Sequence, residues 1–251
     1  MDPHDAAPRF AQLLCPSQPL DGALEMGWLD QALGGEPTAV VWHGTSSLVA
    51  PLSYQQHSRL DAVSAAFAGR GWPVRLRRSG GGLVPQGPGI LNLSLAYACA
   101  GAAGTQAQTV YQHLCAALAS ALGALGIVTH TRAVEGSFCD GRFNLAVTHD
   151  GITRKLAGTA QYWKRAGGVQ AVLAHALLLL DADPRQLSGL CSSFEAELGS
   201  ARRYDPNAMT SVAQAWQQAH PGERVPADLG QQFTHHLALA LGQESVQPVP
   251  F

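Results

Sequence analysis

Charge is scarce in this chain. Asp, Glu, Lys and Arg make up 14% of its 251 residues, and 16 basic residues nearly balance 18 acidic ones. A formal charge of −2 leaves no electrostatic footprint for nucleic acid or an anionic membrane. Aromatic residues are few as well, at 7%, so a core must be built largely from Ala, Leu and Val. There is no Cys-x-x-Cys pair: Cys15, Cys99, Cys115, Cys139 and Cys191 lie far apart. That spacing excludes a zinc knuckle, predicts no metal site and no disulfide framework, and suits a reducing cytoplasm. Apolar runs such as residues 176–180 fall far short of the roughly 20 residues that span a bilayer. Met1-Asp2-Pro3-His4-Asp5 lacks the basic-then-apolar order of a secretory signal. The expectation is a soluble cytoplasmic protein with neither nucleic-acid nor membrane partners.

Hydrophobic residues make up 46% of the chain, enough for a sizeable core, and 27 glycines cut it into many turns. Residues 1–18, with three prolines and little periodicity, read as an arm; residues 19–251 read as one catalytic domain. Helical periodicity covers residues 20–33, 58–68, 105–122, 184–198 and 227–241. Residues 38–42, 73–77, 90–98, 128–133, 143–148, 153–163 and 169–180 read as strands. Strands come in neighbouring pairs with helices between the groups. That order predicts an α+β fold with a mixed or largely antiparallel sheet flanked by helices, not a doubly wound one.

Two segments carry chemistry. The first is Arg77-Arg78-Ser79-Gly80-Gly81-Gly82, leading to Gly89-Ile90-Leu91-Asn92. Three successive glycines after a strand allow the backbone to approach something closely. The loop is neither a Walker loop nor a Gly-x-Gly-x-x-Gly fingerprint. The second runs from Gly136 through Cys139 to Asn144, then turns at Asp150-Gly151 into Lys155-Leu156-Ala157-Gly158-Thr159-Ala160-Gln161. Two strands joined by a short turn bring Cys139 and Lys155 within reach of each other. Small residues after the lysine leave space beside it for a narrow acyl chain.

In that order and at that spacing, the segments resemble the lipoate-protein ligase and octanoyltransferase family, over roughly residues 20–183. His175, followed by the run to Asp183, resembles a further stretch of the same family. The resemblance implies a biotin/lipoate protein ligase-like catalytic domain with Lys155 as the reactive-site lysine. It implies a substrate site formed by Arg77, Arg78, Ser79, Gly80, Gly81, Gly82, Asn92, Gly158, Thr159, Ala160 and His175, with the glycine loop walling the acyl chain. Ser137-Phe138-Cys139-Asp140-Gly141 resembles the subgroup that uses a cysteine nucleophile, which makes Cys139 the candidate acyl carrier.

Family members divide between ATP-dependent ligases and ATP-independent acyltransferases. Leu76, Gln86, Gly87, Ile90 and Asn144 replace polar or charged residues of the family pattern, and Ala176 replaces the glycine that commonly follows its histidine. Those losses favour transfer without a cofactor; the ligase alternative would require ATP and Mg. The resemblance implies an acyl carrier protein or an acylated glycine-cleavage H-type protein as donor, and a lipoyl domain as acceptor. A relative that binds an acyl group without turnover is the third alternative.

Overall fold

The computed structural model describes residues 8–243 and the backbone of 246–249. Its frame is an eight-stranded sheet in which only the strands at one end run parallel. The order across the sheet is β11 (Val246–Val249), β1 (Leu13–Pro16), β2 (Thr38–Trp42), β6 (Ile90–Ala98), β10 (Val169–Leu179), β9 (Ile152–Ala166), β8 (Leu145–His149) and β7 (His130–Thr131). β1 pairs parallel with β11 and β2, and every other neighbour is antiparallel. A second sheet has the order β4 (Val74–Arg77), β3 (Ser47–Pro51), β5 (Val84–Gln86). The α+β class with a mostly antiparallel sheet is the one the sequence predicts.

Alternation along the central strands separates two faces. Leu91, Leu93 and Leu95 of β6, with Ala174, Ala176 and Leu178 of β10, point to one side. There they meet α3 (Ala103–Ala124), whose Val110, Leu114, Leu118, Ala121 and Leu122 form one buried stripe at helical spacing. α5 (Val212–Ala219) and α6 (Leu229–Ala240) complete this layer through Trp216, Phe233 and Leu237. Near the parallel end of the other face lies α1 (Leu24–Leu33), with Trp28 and Leu29 against Val40, Trp42 and Leu173. Farther along are the small sheet, α2 (Leu60–Gly69) and α4 (Pro184–Leu198), where Phe67 and Phe194 meet edge to face at 5.1 Å. The gap between α1, the small sheet and the central strands becomes the site.

Some local expectations change. Residues 13–16, read as part of a loose arm, are an inner strand of the main sheet with Leu13 fully buried. Residues 1–7 of that arm, and 244, 245, 250 and 251 of the domain, lie outside the described residues. Helix α1 starts at Leu24, not residue 20, and residues 128–133 shrink to a two-residue strand. The reading missed β3, β5, β11 and α5. Among the described residues no helix is long and apolar enough to cross a membrane.

The acidic end of the His175 stretch is structural. Asp183 caps α4, its carboxylate accepting from the Arg185 amide at 2.9 Å, with Pro184 in the first turn. Asp183→Ala should cost about 1 kcal/mol of stability, read as a lower urea midpoint at unchanged slope. An unchanged midpoint would show that the cap contributes nothing.

Candidate active site

A cavity of about 360 Å³ opens between α1, the small sheet and the central strands. That is within the roughly 300–1,000 Å³ usual for small-molecule sites. Leu20, Met26, Trp42, Val49, Leu173 and Leu177 give it apolar walls; Cys139 and Lys155 both line it.

Lys155 reaches this cavity because β9 is irregular. Ala157 pairs with Leu145 and Lys155 with the next residue, Ala146, so β9 has one residue more than β8 at this point. The bulge puts Leu156 and Ala157 together in the α3 core and brings Lys155 to the side of Gly158. Its side chain is almost fully buried at 2% exposure. The ammonium donates to the carbonyls of Phe138 and, at 2.7 Å, of Cys139. Burial lowers its pKa to about 8; the Cys139 and Asp140 charges act the other way and Arg77 adds to the lowering. Gly158 makes room for it, since a Cβ there would lie 2.9 Å from Nζ and 3.0 Å from Cε.

Cys139 sits on the loop that Lys155 holds. Its φ of +50° is one of two positive values among the described non-glycine residues, the other being Asp150 in the β8–β9 turn. A backbone held in this region stores strain that its surroundings must balance. Here the Cys139 carbonyl accepts from Lys155 and also from Asn144 Nδ2 at 3.1 Å. Fully buried Asn144 keeps its Oδ1 without a partner among the described residues. The sulfur rests over Gly81, whose φ is +104° and where any Cβ would overlap Sγ. Gly80, Gly81 and Gly82 do not line the cavity. Ser79 of the same loop does line the cavity, while Gly81 lies beneath the cysteine sulfur.

Arg77 organises this seat. Its guanidinium donates to the carbonyls of Val49 (3.0 Å), Gly80 (3.1 Å) and Gly82 (2.7 Å). Deeper in, a relay that the sequence reading missed crosses the cavity. His175 Nδ1 lies 2.8 Å from Glu25 Oε1, and its Nε2 lies 2.9 Å from Ser79 Oγ. Glu25 also accepts from Ser94, which accepts from Trp42. Burial works against the Glu25 charge, but His175, Ser94 and Arg77 outweigh it and hold the carboxyl below its usual range.

The structure brings most of the expected residues together. Arg77, Arg78, Ser79, Asn92, Gly158, Thr159, Ala160 and His175 all line the cavity with Cys139 and Lys155. Asn92 and Gln86 exchange two amide hydrogen bonds of 2.7 and 2.8 Å. Thr159 donates to the Phe143 carbonyl, and Gln161, the last residue of the lysine motif, is tied to α3 through the Ala107 carbonyl. Burial pushes up the thiols of Cys115 (to about 11), Cys15, Cys99 and Cys191, as packing residues require.

Comparison with known proteins places the chain in one family. The lipoyl protein ligase A/B catalytic domain matches residues 29–234. An uncharacterized protein of Cupriavidus necator is 49% identical over 199 residues, covering 76% of this chain and 79% of that protein. The octanoyl-[GcvH]:protein N-octanoyltransferase of Kyrpidia tusciae is 34% identical over 194 residues, 72% of this chain and 63% of that protein. Among solved structures, a lipoate-protein ligase A bound with ATP superposes with a TM-score of 0.61 at 16% identity, over 98% of this chain and 90% of that one. At that identity the likeness speaks to the fold alone. The chain belongs to the lipoyl protein ligase A/B catalytic-domain family.

Proposed function

We propose that the chain moves an octanoyl or lipoyl group from a protein thioester, through Cys139, to a lysine of a lipoyl domain. The observation that carries this reading is the joint placement of Cys139 and Lys155 on one largely apolar cavity, with the ammonium clamped on the cysteine loop. With its pKa near 8, the Lys155 amine is partly neutral at physiological pH and can take the thiol proton. The thiolate then attacks the donor carbonyl. The new bond is Cys139 S–C, the donor C–S bond breaks, and the departing sulfur is protonated from Lys155. In the second half the acceptor amine attacks the acyl-cysteine, the Cys139 S–C bond breaks, and the amine proton returns to the thiolate. A thioester exchanged for a thioester and then for an amide needs no nucleotide.

The donor set supports that economy. Asn144 stands where the family pattern has an aspartate, and it donates to the Cys139 carbonyl. A carboxylate there would repel that oxygen, so this position serves the cysteine loop and offers no charge to Mg-ATP. The H-protein donor named for the Kyrpidia relative and an acyl carrier protein are the two donor classes to test. The protein stays in the cytoplasm in this reading.

The experiment is intact-mass analysis after incubation with octanoyl-H-protein or octanoyl-carrier, without ATP, followed by peptide mapping. An octanoyl adduct on the Cys139 peptide that decays as a lipoyl domain is added is the expected result. An adduct on another cysteine, or acylation of the lipoyl domain only with ATP and free octanoate, would overturn the reading in favour of the ligase chemistry.

A further inference from the structure

Arg77 is half-buried, and a positive charge drawn out of water needs a negative partner or dense hydrogen bonding, with which it is only partly provided. Three of its hydrogen bonds go to backbone carbonyls, yet Nε is buried with no acceptor among the described residues. No carboxylate forms an ion pair with it among those residues. Its fork points at the seat of Cys139. The point where a Cβ would stand on Gly81 is 3.3 Å from Arg77 Nη2 and inside contact distance of the Cys139 sulfur. Guanidinium and sulfur therefore flank the same small gap. Lys155 cannot fill this role constantly: two of its three hydrogens go to the Phe138 and Cys139 carbonyls, and it loses its proton near pH 8. A guanidinium stays charged throughout that range.

We propose that Arg77 is the fixed charge of the site: it braces the glycine loop beneath Cys139 and supplies the positive field that stabilises the sulfur anion and the oxyanion that develops on the thioester. This deepens the transferase reading and rests on it for the oxyanion. The division of labour is then plain. Lys155 moves the proton, and Arg77, acting through Cys139, stabilises the charge left behind. Two carboxylates oppose this positive field: Glu25, whose charge acts on Arg77 across the cavity, and Asp140, next to Cys139 in the chain and acting on Lys155. A second guanidinium, Arg202, lies 3.2 Å from where a Cβ on Gly82 would stand.

The charge can be read without any acyl substrate. Alkylation of Cys139 is followed by peptide mass with iodoacetate, which is anionic, and with iodoacetamide, which is neutral. In the wild type the iodoacetate-to-iodoacetamide rate ratio should exceed that of an unstructured cysteine peptide several-fold, because a local cation attracts only the anionic reagent. Arg77→Gln should bring the ratio down several-fold toward the peptide value, leaving only the share due to Lys155 and Arg202, Arg77→Lys should keep most of it, and melting curves verify that each variant is folded. Acyl transfer by Arg77→Gln should fall roughly 10²-fold in kcat with little change in KM, as for loss of one oxyanion donor. If both alkylation rates fall together and the ratio stays constant, Arg77 is only a loop brace and the proposal fails. A wild-type ratio no higher than the peptide's rejects it even if no Arg77 variant folds. A mechanism without a cysteine intermediate would leave the alkylation ratio intact, so the two readings fail separately.

Discussion

Lys155→Met will lower acyl transfer by about 10²–10⁴-fold, the usual contribution of a positioned acid–base group, while the protein stays folded. In the wild type, transfer should rise with pH as the amine becomes neutral, with an inflection near the pKa of about 8; the variant should lack that limb. The same substitution has a signature in stability whose sign follows from linkage. An ordinary lysine titrates at 10.5, whereas the buried one titrates at about 8. Between those values the unfolded chain binds more protons than the folded one, so wild-type stability rises as pH increases across this window. Below about 8 both states are protonated and the cost of burying the charge is fully present. The wild type should therefore gain about 3 kcal/mol relative to Lys155→Met between pH 7 and 10.5. Taking the difference cancels the cost of the Phe138 and Cys139 carbonyls losing their donor, which is the same at every pH. Urea titrations at both pH values measure it. A constant difference would mean that Lys155 is not held as a buried ammonium, and with it the proton-transfer role would go.

What the sequence conveyed and what it withheld divide along physical lines. Motifs that are contiguous, such as Ser79–Gly82 and the run after Lys155, were legible through their order and spacing, which resemble one family; alone, a glycine cluster also fits a plain hairpin turn. The long strands β6, β9 and β10 and helix α4 were legible from periodicity. The facing of Lys155 was not. Alternation alone puts it on the face of Ala157, in the α3 core, and only the bulge at Leu156 turns it to the cavity. Bulges leave no mark in composition. Glu25 was equally hidden: one acidic residue on an amphipathic helix reads as a solvated face, and its role depends on His175, 150 residues away. The short strands β3 and β5 owe their existence to pairing with each other and with β4, not to a pattern of their own. The glycine loop was found, but its contact with the Cys139 sulfur was not, because sequence shows that the backbone is bare without showing what approaches it.

The two roles open to this loop, wall of the acyl chain and seat of the cysteine, differ in a second large effect. Gly81→Ala should cut formation of the acyl adduct by about 10²-fold, the loss expected when a reacting atom is displaced by about 1 Å. Two independent causes act at this position. The φ of +104° suits only glycine and would cost an alanine about 1–3 kcal/mol, and the new methyl would occupy the space of the Cys139 sulfur, with Arg77 Nη2 just 3.3 Å away. The sulfur can give way only by turning about χ1, which moves the reacting atom itself out of place. The Cys139 backbone is fixed by Lys155 and Asn144, and the Arg77 fork by three carbonyls. The neighbouring Gly80 provides the control: it has no positive φ, and a Cβ on it meets nothing within 4 Å, so Gly80→Ala should keep near-normal activity. If the loop were a wall for the acyl chain, equilibrium binding of octanoate would weaken along with transfer in Gly81→Ala. As the seat of the cysteine, it should leave octanoate affinity within about twofold while both adduct formation and iodoacetamide labelling of Cys139 change. Calorimetry with octanoate beside intact-mass kinetics makes the distinction. Full activity in Gly81→Ala at a normal melting temperature would refute both versions, because it would show that the gap between Gly81, Cys139 and Arg77 is not required for the chemistry.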